Sequence, residues 1–453
     1  MQVVNPATGE VVSSFQEASF DEAAGRIAEA GRAFAGWRQT KIEERAAVLR
    51  AAAGILRAEA GLHAAEMARE MGKPVAQGRA EVEKCAWVCE HIAEHGPALL
   101  APRPVETEAA RSFVSFQPLG TVLAIMPWNF PFWQVFRFAA PALLAGNTAV
   151  LKHASSVPGS ALAIESIFQR AGLPAGGFVT VLAASDLVPR MIAHKDIAAG
   201  TLTGSVQAGR AVARVAGENL KKTVLELGGS DPYVVLADAD VDRAAAICAK
   251  SRLINGGQSC IAAKRFIVDR SVLPAFEKVL VDRMRAAVVG DPMREETEVG
   301  PLARDDLRDD LHRQVKDSVD RGARLLLGGE VPRQAGAWYP PTVLTDVAPR
   351  MPAYEEELFG PVAAVIAADG EADAIHIAND SRFGLGAAVF TRSVERGAGI
   401  AETQLEAGNC FVNDFVRSDP RLPFGGVRES GYGRELGETG ILEFVNIKTV
   451  WVA

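Results

Sequence analysis

Cysteine is scarce in this 453-residue chain: there are five, an odd number spread thinly over the length. That argues against a disulfide framework and for a reducing compartment, so a cytoplasmic location is expected. A long hydrophobic run is also missing. The most apolar stretch, residues 138–151, is interrupted by Pro141, Gly146 and Asn147 and is too short to span a bilayer. The opening residues, MQVVNPATGE, lack the charged-then-apolar pattern of an export signal. Positive charge is not in excess either. Lys and Arg number 48 against 56 Asp and Glu, a formal charge of −8, so neither nucleic acid nor a membrane is an expected partner. An anionic ligand must then be held by a local basic group or by backbone N–H donors. The sequence shows no internal repeat, coiled coil or low-complexity tract.

What remains is an ordinary globular balance, 48% apolar and 23% charged, long enough for two or three domains. The first hundred residues are Ala-rich and carry apolar residues at three- and four-residue spacing. That spacing predicts helices over residues 20–37, 42–71 and 77–95, with Gly72-Lys73-Pro74 as a break. Residues 101–118 alternate and are rich in β-formers, as in an exposed strand or hairpin. From Thr121 short apolar strands alternate with helices, which predicts a doubly wound parallel α/β sheet. A second βα series follows Gly229. Two series suggest two domains with a cleft between them and a boundary near residues 226–230. The last segment, FVNIKTVWVA, is a strand that leaves the second series and pairs elsewhere.

Among the cysteines, Cys85, Cys89 and Cys248 lie in helical patterns and Cys410 in a strand, positions typical of inert thiols. Cys260 follows the polar, Gly-rich turn Asn255-Gly256-Gly257-Gln258-Ser259. It is either a nucleophile or a plain loop thiol. Pro127-Trp128-Asn129-Phe130-Pro131 follows a strand at the carboxyl end of the sheet, where α/β folds bind ligands. Asn129 offers a neutral N–H donor suited to an oxyanion, or it satisfies turn backbone. Glu226, in Leu225-Glu226-Leu227-Gly228-Gly229, is a carboxylate at an apolar strand end, and so is either paired or kept as a base of raised pKa. Thr203-Gly204-Ser205 sits between a strand and a helix, where backbone donors could meet a phosphate, although it is not G-x-G-x-x-G.

These segments, in this order, resemble the aldehyde dehydrogenase superfamily, from NPATGE at the start to Pro423-Phe424-Gly425-Gly426 and Ser430-Gly431-Tyr432-Gly433-Arg434-Glu435. The resemblance implies two doubly wound α/β domains plus a small β oligomerisation arm. It allots 1–100 and 119–228 to dinucleotide binding, 229–428 to catalysis, and 101–118 with 443–453 to the arm. It implies Cys260 as nucleophile, Asn129 with the Cys260 N–H as oxyanion hole, and Glu226 as the base that activates water. Lys152 matches the lysine that grips the adenosine ribose; Gly204 and Ser205 match the phosphate loop. Pro127, Trp128 and Leu227 fall in the cofactor-contacting segments. Glu357 and Phe359 match the pair that holds the nicotinamide ribose and ring, unless Glu355-Glu356-Glu357 is only a solvated acidic run. No metal is implied.

In this family a Glu three residues after the lysine favours NAD. Here that position is Ser155, so NADP or NAD is expected, unless Ser155 is merely a residue at a helix N-terminus. Arg137 lies eight residues after Asn129 on the next helix, where a guanidinium could clamp a distal carboxylate. That pattern is similar to succinate-semialdehyde dehydrogenases, and the implied substrate is succinate semialdehyde; a broader aldehyde range is the alternative. Some members of that branch carry a second arginine six residues before the nucleophile, and here it is Ile254. Arg417, Ser418 or Arg421 could compensate, while Arg137 could instead be a helix-surface ion pair. A homodimer or homotetramer is implied. One motif points elsewhere: His91-Ile92-Ala93-Glu94-His95 matches the H-x-x-E-H zinc-peptidase pattern, although Gly96-Pro97 is expected to end that helix at once. An inactive, purely structural member of the superfamily is a third reading.

Overall fold

The strand–helix alternation after Thr121 resolves into a six-stranded sheet in the computed structural model, which describes residues 1–453. Its spatial order is Gly431–Tyr432, Lys222–Glu226, Ile197–Thr203, Thr121–Met126, Thr148–His153, Phe178–Thr180. The last five strands are parallel and the first is antiparallel to its neighbour. The winding direction reverses beside Thr121–Met126, the doubly wound pattern whose switch point opens a ligand crevice at the carboxyl ends. Ile125 pairs with Lys152 and with Leu202, and Thr203 with Glu226. Register therefore delivers the segments following Met126, Leu151, Thr203 and Leu225 to one edge of the sheet. Strand Thr148–His153 is buried at every position, which explains its unbroken apolar run.

A seven-stranded sheet follows, in the order Arg324–Leu327, Thr342–Thr345, Val362–Ala368, Arg265–Asp269, Pro232–Val235, Gly386–Phe390, Asn409–Val412. All pairs are parallel except the first. Here the chemically interesting segments precede their strands: Gly229 lies before Pro232, Cys260 before Arg265 and Phe359-Gly360 before Val362. The crevice thus joins the carboxyl edge of one sheet to the amino edge of the other. The C-terminal strand Val445–Val452 pairs along its length with Arg111–Pro118, and Arg103–Pro104 lies on the other side. Gln2–Val4 and Val11–Ser14 form a two-stranded ribbon.

Helix Phe20–Trp37 starts at a capping box between Ser19 and Glu22 and buries Ala23, Ile27, Ala30 and Trp37, as its spacing predicts. Two expectations are corrected. The stretch 42–71 is two helices, Ile42–Ala58 and Ala60–Met71, because Glu59 leaves helical geometry (φ −111°, ψ 15°). The next helix runs Val75–Leu99, so Gly96-Pro97 does not end it. Pro97 has no N–H for the Ala93 carbonyl, but Arg50 Nη1 donates to that oxygen at 3.4 Å. No helix is long and apolar enough to cross a membrane.

Candidate active site

Cys260 sits in a loop whose shape is dictated by its glycines. Asn255, Gly256 and Gly257 follow helix Val241–Leu253 with φ of 56°, 61° and 76°. At Gly257 a Cβ would also run into the backbone of Gly360 and Pro361, so only glycine fits this left-handed position. The loop is held from below by buried Lys264, whose Nζ donates to the carbonyls of Ser259 (2.9 Å) and Cys260 (2.7 Å). Burial pushes the Cys260 thiol up to about 12, against the opposing pull of Arg137 and Lys264. The thiolate is the nucleophilic form, and Arg137 and Lys264 are the cations that favour it at Cys260.

Asn129, 4% exposed, is tied directly to that loop. Its Nδ2 donates to the Gln258 carbonyl at 3.0 Å, while Asn255 Nδ2 donates to the Asn129 carbonyl at 2.8 Å. A side-chain amide carries two N–H donors, so one stays available for an oxyanion. Lys73 and Glu81 form a buried ion pair beneath this turn. Lys73 Nζ also donates to the Asn129 carbonyl at 2.9 Å, and Glu81 accepts the N–H groups of Phe132 (2.9 Å) and Trp133 (3.0 Å). Glu81 thereby satisfies orphan donors at the start of helix Trp133–Leu144. Sequence analysis missed this pair: Lys73 read only as part of a helix break.

Glu226 is 2% exposed, and neither carboxylate oxygen has a hydrogen-bond partner. Burial raises its pKa well above the ordinary carboxylate range; Glu435 adds to the rise while Arg137 and Arg434 oppose it. Gly425 makes room for it: a Cβ there would stand 2.8 Å from Glu226 Oε1 and from the Gly433 carbonyl. Arg137 is the shared neighbour of the two reactive groups, lowering both the Cys260 and the Glu226 proton affinities.

Arg137 reaches the cavity, but neither as a free clamp nor as a helix-surface pair. It is 2% exposed, in contact with the buried Glu435 carboxylate, 3.3 Å from Thr203 Oγ1 and over the Phe424 ring at 5.0 Å. Breaking a buried pair strands the remaining charge, at a cost of about 3–5 kcal/mol. Arg137→Leu is expected to lower the urea midpoint accordingly, and Arg137→Leu with Glu435→Leu to recover part of the loss. A single variant that unfolds at the wild-type midpoint would contradict the pairing.

The expected cofactor residues line the carboxyl edge of the six-stranded sheet. Lys152 is 4% exposed, and its Nζ has only Ser185 Oγ, at 3.5 Å; burial lowers its pKa, with Glu17 opposing. Ser155 lies exposed in the turn before helix Pro158–Arg170, whose N-cap is Val157, so the helix-terminus reading of Ser155 is corrected. The neighbouring Ser156 Oγ is buried without a partner. Ser205 caps helix Val206–Glu218 through the Ala208 N–H, at 3.2 Å. The Gly204 N–H already donates to the Glu226 carbonyl at 3.0 Å, which leaves the first N–H groups of that helix as the open donors. Leu227 is buried and donates its N–H to Ser430 at 3.0 Å. Pro127 leads into Trp128, whose ring meets Phe359 edge-on at 5.8 Å. Glu357 turns inward, accepting from the Gly229 N–H at 3.1 Å and lying 3.4 Å from Lys264 Nζ, so the run 355–357 is not simply solvated. A lysine starved of partners, free hydroxyls and an open helix N-terminus, with no acid within residues 153–157, make a donor set that fits a phosphorylated dinucleotide.

A cavity of about 900 Å³ opens beside Cys260, walled by Trp133, Arg137, Ile254, Phe415, Arg417 and Ser418 among others. Arg421 is not on this wall: it pairs with Asp419 at 2.7 Å and lies over the Trp87 ring. Lys84, which the sequence reading passed over, is on the wall. No local feature sets it apart from the other charges of helix Val75–Leu99. At the H-x-x-E-H motif the His91 and His95 rings lie 4.5 Å apart. No group of three or more His, Cys, Asp and Glu side chains is placed to share a metal ion, so the peptidase reading finds no support here.

Two doubly wound sheets meeting at a crevice that holds a cysteine, an amide donor and a buried carboxylate define an aldehyde-oxidising architecture. The chain belongs to the aldehyde dehydrogenase family, whose profile it matches over residues 1–450. It is 50% identical to the probable NADP-dependent succinate-semialdehyde dehydrogenase of Synechocystis sp. PCC 6803, over 99% of both chains. To the NAD(P)-dependent succinate semialdehyde dehydrogenase of Escherichia coli K12 it is 49% identical, over 99% of this chain and 97% of that one. The solved structure of succinic semialdehyde dehydrogenase from Streptococcus pyogenes in complex with NADP+ superposes with a TM-score of 0.97 at 38% identity, covering 100% and 99% of the chains.

Proposed function

We propose that this protein oxidises succinate semialdehyde to succinate with NADP, and less readily with NAD, through a thioester on Cys260. The observation that carries the reading is the convergence of Cys260 and Asn129, tied together through Gln258 and Asn255, with Glu226 across the shared Arg137. The names of relatives at about 50% identity over the full chain support the substrate and the cofactor. In this reading the Cys260 thiolate adds to the aldehyde carbon, and the Asn129 amide with the Cys260 N–H stabilises the oxyanion formed. A nicotinamide dinucleotide bound beside this adduct would supply the acceptor for the hydride its carbon gives up, leaving a thioester on Cys260. Glu226 then takes a proton from water, the water oxygen attacks the thioester carbon, and collapse releases the acid and the thiolate. Arg137 and Arg417, each already paired with an acid, and the Ser418 hydroxyl make one wall of the cavity polar, as a distal carboxylate requires. Trp128, Leu227, Glu357 and Phe359 hold the nicotinamide half; Lys152, Ser155, Ser205 and the following helix N-terminus hold the adenosine half.

The domain assignment follows: 1–100 and 119–228 for the cofactor, 229–428 for catalysis, 101–118 and 443–453 for an arm. Strand Val445–Val452 is the outer strand of its sheet and exposes Ile447, Trp451 and Val452, which supports assembly as a homodimer or homotetramer. The test is initial rates with both cofactors across succinate semialdehyde, glutarate semialdehyde, a neutral aliphatic aldehyde and benzaldehyde. Succinate semialdehyde with NADP is expected to give the highest kcat/KM; a neutral aldehyde in first place would overturn the substrate assignment. Ser155→Glu is expected to lower kcat/KM for NADP by about tenfold or more through repulsion of the 2′-phosphate, and to change NAD far less. An unchanged cofactor ratio would remove Ser155 from the site.

A further inference from the structure

Six cationic side chains line the cavity beside Cys260, and three are already matched. Lys73 is paired with Glu81, Arg137 with Glu435, and Arg417 with Asp414. Lys250 and Arg283 are exposed to solvent. Lys84 is different. Its Nζ donates to Ser418 Oγ at 2.8 Å and sits 4.2 Å above the centre of the Trp133 ring. The acids around it are engaged elsewhere, Glu81 by Lys73 and Asp419 by Arg421.

Resting on the substrate reading above, we propose that Lys84, seated on Trp133 and hydrogen-bonded to Ser418, receives the distal carboxylate of the substrate and sets the preference for a semialdehyde over a neutral aldehyde. An ammonium has three N–H donors; with one on Ser418, others remain for a carboxylate. A partly desolvated cation without a counter-ion is costly, and an arriving carboxylate supplies the missing charge. The charge of Arg137 is already matched by Glu435, so an arriving carboxylate gains less there than at Lys84. Ile254, on the same wall, adds only apolar surface.

The ionisation of Lys84 gives a second handle. Burial and the nearby Arg137 bring the ammonium down to about 8, with Cys85, Asp419 and Glu81 acting the other way. The titratable groups acting on it are Glu81 and Cys85 on its own helix, Arg137 on helix Trp133–Leu144, and Asp419 in the loop after Val412. Below about 8 the ammonium is present to bind a carboxylate; above it the charge is lost and binding weakens.

The experiment compares wild type with Lys84→Met and Lys84→Arg, each with NADP, on succinate semialdehyde and on butanal, which has the same chain length without the carboxylate. Lys84→Met is expected to raise KM for succinate semialdehyde about 10- to 100-fold, the size of one charge-assisted hydrogen bond, and to leave butanal kcat/KM within about twofold. Lys84→Arg is expected to keep most of the preference. An unchanged ratio of the two substrates in Lys84→Met would overturn the proposal and return the carboxylate to Arg137. If that variant also loses butanal oxidation, the wild-type pH profile decides: the ratio of kcat/KM values, semialdehyde over butanal, must fall as pH rises through about 8. A flat ratio overturns the proposal. A wild type that shows no preference for succinate semialdehyde over butanal defeats the substrate reading itself, a result distinct from either of these.

Discussion

Glu226→Gln is expected to release one equivalent of reduced cofactor at close to the wild-type rate and then to turn over about 10²–10⁴-fold more slowly, the usual contribution of a positioned general base. The asymmetry follows from where the carboxylate sits. It has no hydrogen-bond partner and no ion pair of its own, so nothing in the first half of the reaction depends on it structurally. Glutamine has the same shape and cannot accept water's proton. Pre-steady-state absorbance at the reduced-nicotinamide band checks this: a burst followed by a slow phase is expected, and wild-type steady turnover would remove Glu226 from the role. The pH dependence has a fixed sign. Burial raises the carboxyl, and only its ionised form is a base, so wild-type deacylation climbs with pH through that raised pKa. The glutamine variant is expected to lose this limb.

Asn129→Ala is expected to reduce turnover about 10²–10³-fold, the cost of losing one oxyanion donor aimed at developing charge. Because Nδ2 also holds the Gln258 carbonyl at 3.0 Å, the substitution releases the Cys260 loop as well as the oxyanion. The two effects separate in the burst: loss of oxyanion stabilisation slows formation of reduced cofactor itself, whereas Glu226→Gln spares it. A full-rate burst in Asn129→Ala would assign Asn129 to backbone support alone, a role it shares with Lys73 and Asn255.

Much of the fold was legible because local pattern and final environment agree. Strands such as Thr148–His153 are apolar throughout because both faces are covered, and helix Phe20–Trp37 carries its cap and its buried stripe in the sequence. The misjudged helix end at Gly96-Pro97 has a tertiary cause, Arg50 reaching across from another helix to the Ala93 carbonyl. Helix Asp305–Asp320 is so rich in charge that only Leu311, Val315 and Ser318 are buried, which leaves little apolar period to read in the sequence. At the site, the segments of Cys260, Asn129, Glu226 and Glu357 stand out as chemistry placed at turns. Their supports do not. Lys73, Glu81, Lys84, Lys264 and Glu435 are charged residues of a kind that surfaces supply by the dozen, and nothing local marks them as buried or cavity-facing.

The sequence by itself determined the kind of protein and picked out the candidate reacting groups, because strand ends, Gly-rich turns and a thiol in a loop are local features with local physical reasons. Only the tertiary structure decided how charge is distributed around them. Arg137 read as a carboxylate clamp or a helix-surface ion pair and is bound, buried, to Glu435; Lys84, which no sequence pattern singled out, stands unmatched over Trp133. Which charges cancel depends on segments hundreds of residues apart meeting where water is excluded, and there a single unpaired ammonium or carboxylate outweighs any local preference.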